Sequence, residues 1–170
     1  MTVFVGIDTG LTGAVAFRND SSMKVFDTPT IKEEKRGKSR RIYDVKAMDR
    51  LFLPYTKIDV VVALELAHAF PGEGSVSSFR FGFGFGLYQG IIIAHGFELV
   101  VVSPRTWKSA VFGEMKADKN ESIVRAIQMF PYLESSLSRK MDHNRAEAIL
   151  IAEWLKNTRT KENQQSALGL

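Results

Sequence analysis

The feature that most constrains this chain is an acid set in an apolar run. Val60-Val61-Val62-Ala63-Leu64 has no polar residue on either parity, so Asp59–Leu66 reads as a strand covered on both faces. Glu65 interrupts it. A carboxylate is almost never fully buried without a partner. Either the strand ends at Leu64, or Glu65 lies in a site that supplies donors or a cation. A strand covered on both faces needs helices above and below its sheet, which points to a layered α/β architecture.

The rest of the chain fits that frame. Val3–Asp8 reads as a short buried strand, and Gly10 and Gly13 bracket a tight turn. Gly13–Arg18 and Met23–Asp27 follow as strands, separated by the turn formers Asn19-Asp20-Ser21-Ser22, so the opening is an antiparallel meander. Ile31–Arg41 has many charges and no apolar periodicity and is expected to be a loop. Val45, Met48, Leu51, Phe52 and Tyr55 repeat at helical spacing, which predicts a helix over Tyr43–Tyr55. Phe70–Ser78 is a Gly/Ser-rich loop, Ser78–His95 a helix and Phe97–Val102 a fifth strand. Ser103 caps a helix over Pro104–Phe112, with Pro at its first position. Gly113–Ala117 is loop, Asp118–Phe130 a helix that stops before Pro131, and a last helix runs from His143 to about Lys156. The expected fold is a mixed five-stranded sheet, its first three strands antiparallel, with helices on both faces. Residues 1–157 form one domain, and 158–170 are expected to be a polar, disordered tail.

Length and composition exclude several classes. A chain of 170 residues suits a single core. It has no cysteine, hence no disulfide scaffold, thiolate zinc site or cysteine nucleophile. No apolar run approaches the ~18 residues that span a bilayer. The N-terminus enters a strand without the pattern of a signal peptide, so a cytoplasmic location is expected. The net charge of +4 and pI near 9.4 are compatible with a polyanionic partner without requiring one.

Three acidic positions carry the chemistry. Asp8 closes an apolar strand; its side chain either caps the following turn or binds a cation. Glu65 is the second. The third is Asp142-His143-Asn144-Arg145-Ala146-Glu147, ahead of the apolar run Ala148–Ala152. His143 and Glu147 stand four apart, on one helix face, as either a metal-binding pair or an exposed polar pair. Asp142 sits where an N-cap would be. Asp8, Glu65, His143 and Glu147 together offer hard oxygen and nitrogen ligands without sulfur, a set suited to Mg²⁺ or Mn²⁺. Two such ions about 3.5–4 Å apart can activate water and stabilise the leaving oxygen of a phosphodiester.

Gly6-Ile7-Asp8-Thr9-Gly10-Leu11-Thr12-Gly13-Ala14 resembles the first catalytic motif of RuvC-type Holliday junction resolvases, of the RNase H-like superfamily. Ala63-Leu64-Glu65 is similar to their second acidic strand. Phe70-Pro71-Gly72-Glu73-Gly74, the Phe81–Leu87 repeat and His143-Asn144-Arg145-Ala146-Glu147-Ala148 are most similar to the phage and chloroplast branch. The likeness runs over residues 3–155. It implies a homodimer that binds a four-way DNA junction and nicks two opposed strands using two metal ions per site. The family's fourth catalytic carboxylate looks replaced by His143, or supplied by Asp142. Thr9 stands where the family usually has proline. The resemblance also implies a lysine near the cut phosphate, best matched by Lys119 and next by Lys116.

Gly82, Gly86, Gly90 and Ala94 repeat every four residues. Each helical Gly costs roughly 1 kcal/mol against Ala, so the stripe is either a glycine-rich loop with chance spacing or a helix crossing, such as one at a dimer two-fold, where close approach of two backbones offsets that cost. Phe79, Phe81, Phe83 and Phe85 alternate with small residues and suit a core or interface. His68 and Phe70, just past Glu65, either pack on the domain or wedge against bases opened at a junction. Lys32, Lys35, Arg36, Lys38, Arg40 and Arg41 either form a solvated connection or track DNA phosphates, with Arg139 and Lys140 adding to that DNA-binding set.

Three other readings compete. Asp8-Thr9-Gly10-Leu11-Thr12 also fits the phosphate loop of actin-like ATPases and sugar kinases, but those need two such domains, so no nucleotide cofactor is expected. A less selective nuclease of flaps or branched DNA is the second. A DNA-binding module of the same fold without catalysis is the third.

Overall fold

The structure is a computed structural model that describes residues 1–35, 37–66, 74–113 and 119–167, with Lys119 described by its backbone alone. Strands β1 (Thr2–Asp8), β2 (Ala14–Arg18) and β3 (Met23–Asp27) form the opening meander. An antiparallel hairpin follows, β4 (Thr30–Lys35) and β5 (Lys38–Tyr43), then helix α1 (Val45–Arg50) and strand β6 (Asp59–Glu65). Helix α2 (Ser75–Ala94), strand β7 (Glu98–Val102) and helices α3 (Pro104–Phe112), α4 (Lys119–Met129) and α5 (His143–Ala167) complete the order.

The main sheet has the order β3-β2-β1-β6-β7. The β1–β2 and β2–β3 pairs are antiparallel, and the β1–β6 and β6–β7 pairs parallel. This is the mixed five-stranded sheet expected from the pattern. Side chains alternate across it. Val3, Val5, Ile7, Val60, Val62 and Leu64 join the core under α1 and α2, with Met48, Phe52, Tyr88 and Ile92. Phe4, Val61 and Ala63 face the other way, toward Trp107, Ile149 and Leu150. Gly6 shares that second face, and a side chain there is sterically barred: a Cβ would lie 2.3 Å from the Ala148 carbonyl oxygen and from the Ala152 nitrogen. Helix α5 therefore lies directly on the backbone of β1.

The segment expected as a loop over Ile31–Arg41 is the β4–β5 hairpin instead, with Gly37 at φ 71° beside its turn. Its strands carry charge on both faces, so no apolar alternation reveals them. The helix expected over Tyr43–Tyr55 begins only at Val45, where the Asp44 carboxylate accepts from the Ala47 N–H, and its last turn is a separate 3-10 turn over Leu53–Tyr55, which contains Pro54. Helix α2 starts at Ser75 rather than Ser78.

Helix α5 does not stop near Lys156. It continues through Ala167, across the stretch expected to be a disordered tail. Past its last buried residue, Leu155, it is tied by Arg159 to Glu98 and Glu162, and the Thr158 and Thr160 hydroxyls donate to carbonyls one turn back. No helix among the described residues is long and apolar enough to cross a membrane.

Candidate active site at the carboxyl ends of β1 and β6

The register of β1 on β6 pairs Gly6 with Ala63 and Ile7 with Leu64. One step further brings Asp8 beside Glu65. Asp8 has the parity of Phe4 and Gly6, and Glu65 that of Val61 and Ala63, so both carboxylates emerge on the face covered by α5. The contact of Gly6 with Ala148 and Ala152 fixes where α5 crosses, and Glu147 lies one residue before that contact. Asp8, Glu65 and Glu147 each place a carboxylate oxygen within 4.8 Å of the others. Three residues separated by most of the chain thus converge because one glycine lets a helix touch a strand.

Asp8 is 8% exposed. Burial raises the Glu65 carboxyl above the usual carboxylate range, and the negative Glu147 pushes the same way; the Trp107 indole and Lys108 oppose both. The Trp107 Nε1–H donates to Glu65 Oε1 at 2.7 Å, and Lys108 Nζ donates to Glu147 Oε1 at 2.9 Å. The Lys108 ammonium lies 5.1 Å from the centroid of the Trp107 ring. Neither residue was singled out in the sequence. A signal existed: a tryptophan buried beside the sheet needs an acceptor for its N–H, and Trp107 sits in a helix whose start Ser103 and Pro104 announce.

Asp8 also opens into a cleft of about 570 Å³, lined by Thr30, Arg41, Arg139, His143 and Asn144 among others. Asp142 reaches this wall but is committed to it. It is 2% exposed, accepts from the Arg139 N–H at 2.8 Å and from the Arg139 guanidinium at 2.7 Å, and lies 3.8 Å from Arg145. Burial works to raise its carboxyl, yet the Arg139 hydrogen bonds prevail and hold it below the ordinary value. Arg145 also grips Asp27 at the end of β3, lowering the Asp27 carboxyl through that hydrogen bond. Asn144 donates to the Thr12 carbonyl at 2.6 Å, joining the start of α5 to the turn after β1. His143 opens α5 one turn before Glu147, with Nδ1 3.1 Å from the Lys140 carbonyl. It lines the cleft with Asp8 and stands outside the three-carboxylate cluster.

Lys32, Lys35, Lys38, Arg40 and Arg41 all lie on the hairpin, and Lys140 precedes α5. Gly82, Gly86 and Gly90 line α2, and a Cβ on any of them would meet nothing within 4 Å among the described residues. The glycine that internal packing demands is Gly84, where a Cβ would come within 2.2 Å of the Tyr43 hydroxyl. Phe79, Phe81 and Phe83 are exposed, the first and last stacked with centroids 5.9 Å apart. Arg36, His68, Phe70 and Lys116 lie outside the described residues, as does the side chain of Lys119.

No protein-family model matches the chain. It is 29% identical over 93 residues to a chloroplastic Holliday junction resolvase, MOC1 of Chlamydomonas reinhardtii; the match covers 54% of this chain and 10% of that protein. Its fold matches that of T. thermophilus RuvC solved in complex with a Holliday junction substrate, with a TM-score of 0.57 and 13% identity over 91% of this chain and 92% of that one. The resemblance to RuvC-type resolvases read from the motifs is borne out, and the α/β fold with it.

Proposed function

We propose that this chain is a metal-dependent endonuclease that nicks branched DNA, with four-way junctions as its substrate class. The convergence of Asp8, Glu65 and Glu147, with Asp8 also lining a cleft that has arginines on its walls, carries the reading. Similarity to a junction resolvase and to a RuvC bound to a junction supports the substrate class.

The donor set fits a divalent cation. Three carboxylate oxygens this close repel one another when charged, and Lys108 pairs directly with Glu147. Hard carboxylate oxygens suit Mg²⁺ or Mn²⁺. Asp8, Glu65 and Glu147 would hold the metal, with His143 as a further ligand from the adjoining turn. Bound there, a pair of such ions would acidify a water and stabilise the departing oxygen. The residues themselves do the rest. Trp107 fixes the rotamer of Glu65 and shields it from bulk water, Lys108 orients Glu147, and Asn144 ties the turn after Asp8 to the helix that carries Glu147. Asp142 is structural in this reading, because Arg139 and Arg145 already occupy it. Lys119, at the start of α4, supplies positive charge at the cut phosphate.

The chain acts as a homodimer, since paired nicks need two sites. The α2 face with Gly82, Gly86 and Gly90 forms the two-fold contact: its glycines are open and its phenylalanines exposed. The deciding experiment is cleavage of labelled four-way junctions, flaps, forks and linear duplex with Mg²⁺ or Mn²⁺, run beside sedimentation of wild type and Gly86→Leu. Paired nicks in the junction, with a dimer that Gly86→Leu weakens, are expected. Equal cutting of all substrates would make the enzyme a less selective nuclease, and binding without cutting would make it a recognition module.

A further inference from the structure

We propose that Arg41, on the β4–β5 hairpin, is a phosphate-positioning contact for the strand being cut, a reading that rests on the cleft being a nuclease site. Two strands paired in register present alternate residues to opposite faces. Thr30 opposes Tyr43 and Lys32 opposes Arg41, and these four share one face; Ile31 with Ile42 and Glu33 with Arg40 share the other. Tyr43 settles which way the first face points. It is buried in the core under α2, with its hydroxyl against Gly84. Thr30 and Arg41, from that same face, line the cleft into which Asp8 opens.

The two faces differ in how their charges are met. Arg40 is ion-paired with Glu33 directly across the hairpin. Arg41 faces Lys32 across the same strands, and no carboxylate pairs with either among the described residues. Like charges directly opposite one another destabilise a strand pair. The acids elsewhere on the cleft wall are engaged: Asp27 with Arg145 and Asp142 with Arg139. A guanidinium with no carboxylate partner among the described residues, opposed by an ammonium and lining the same cleft as Asp8 of the carboxylate cluster, is a site for an anion arriving from outside. A phosphate oxygen of the substrate strand supplies that anion, and a guanidinium can grip it with two parallel N–H donors.

The test pairs Arg41 variants with substrates in which each phosphate flanking the cut is replaced in turn by a neutral methylphosphonate. Junction cleavage is measured under single turnover beside the junction Kd, with thermal unfolding confirming that each variant is folded. Arg41→Ala is expected to slow cleavage roughly 10- to 100-fold, as when one positioning contact to a reacting group is lost, and to change Kd far less. Arg41→Lys should recover part of the rate, because it keeps the charge without the planar fork. Lys57→Ala, an exposed charge removed at the opposite end of β6, should cut like wild type. At one phosphate the methylphosphonate should slow wild type and leave Arg41→Ala no slower than before. An Arg41→Ala variant that cuts at the wild-type rate, or that is slowed by methylphosphonate at every position as wild type is, overturns the assignment. A wild-type chain that cuts none of the substrates overturns the nuclease reading itself, and the assignment falls with it.

Discussion

The floor and the rim of the cleft are built on opposite principles. The floor is three carboxylates projecting from buried backbone, where Gly6 leaves no room between β1 and α5 and where Trp107 and Lys108 hold two of the three acids in place. The rim is a solvated hairpin whose charges stand mostly in water and whose base alone, at Tyr43, is buried. On the proposed nuclease reading, geometry is fixed where bonds are to be made and broken, and charge is spread loosely where a long polyanion is to be gathered. Mutations among the carboxylates, and of Arg41 where the hairpin faces them, should therefore act on rate, and mutations at the hairpin tip on affinity.

The largest effect expected is on the floor. Asp8→Asn or Glu65→Gln keeps size and removes a negative ligand, so cleavage should fall by about 10²–10³-fold or more, the scale of losing a central electrostatic group. Junction binding should hold or tighten, since repulsion toward phosphate is reduced. Single-turnover rates beside binding titrations check this, and normal nicking by either variant would remove that residue from the site.

Next in size is the contact beneath the acids. Gly6→Ala forces α5 off β1, an overpacking that should cost about 1–3 kcal/mol of stability and displace Glu147 as well. Denaturant unfolding measures the first effect and cleavage by the folded fraction the second. An unchanged unfolding midpoint would show that the helix can shift at little cost.

The rim should respond more gently. Lys35 and Lys38 flank the hairpin turn. Each phosphate contact contributes roughly 0.9 to the slope of log affinity against log salt, so Lys35→Ala with Lys38→Ala should make the slope shallower by up to about two and leave the single-turnover rate alone. A constant slope would mean that the hairpin tip touches no DNA.

The smallest effect is in acid. The Arg145 hydrogen bond depresses the Asp27 carboxyl in the folded chain. Its stabilisation is therefore fully present above the unfolded value of about 3.9 and is lost as pH falls through the lower folded one. Asp27→Asn should be less stable than wild type by a constant amount near neutrality, and the gap should close below about pH 4. A gap that persists there would assign Asp27's contribution to packing.

The same division explains what could be read from the sequence. Asp8 and Glu65 were visible because each breaks an apolar strand, and Glu147 because it precedes the apolar run of α5. Their meeting follows from register and from Gly6, neither of which shows in residue order. Lys108 and Trp107 come into contact through the β6–β7 crossover, so nothing adjacent to Glu65 announces them. The hairpin escaped notice because both its faces are wet and only Ile31 with Ile42 and Tyr43 hint at strands. The extended α5 escaped because its last turns hold by ion pairs and threonine hydroxyls rather than by an apolar stripe.

The hairpin leaves and rejoins the body at one point, where the Asp44 N–H donates to the Pro29 carbonyl at 3.0 Å. An excursion whose two ends already touch is a detachable module. It can be lengthened, shortened or exchanged with little consequence for the sheet, because loop length costs little once the ends are joined. The carboxylate cluster can then stay constant while the arm above it is re-cut, so that, on the proposed nuclease reading, one body can be fitted to DNA branches of different shape by changing the hairpin residues other than Tyr43, which alone among them belongs to the core.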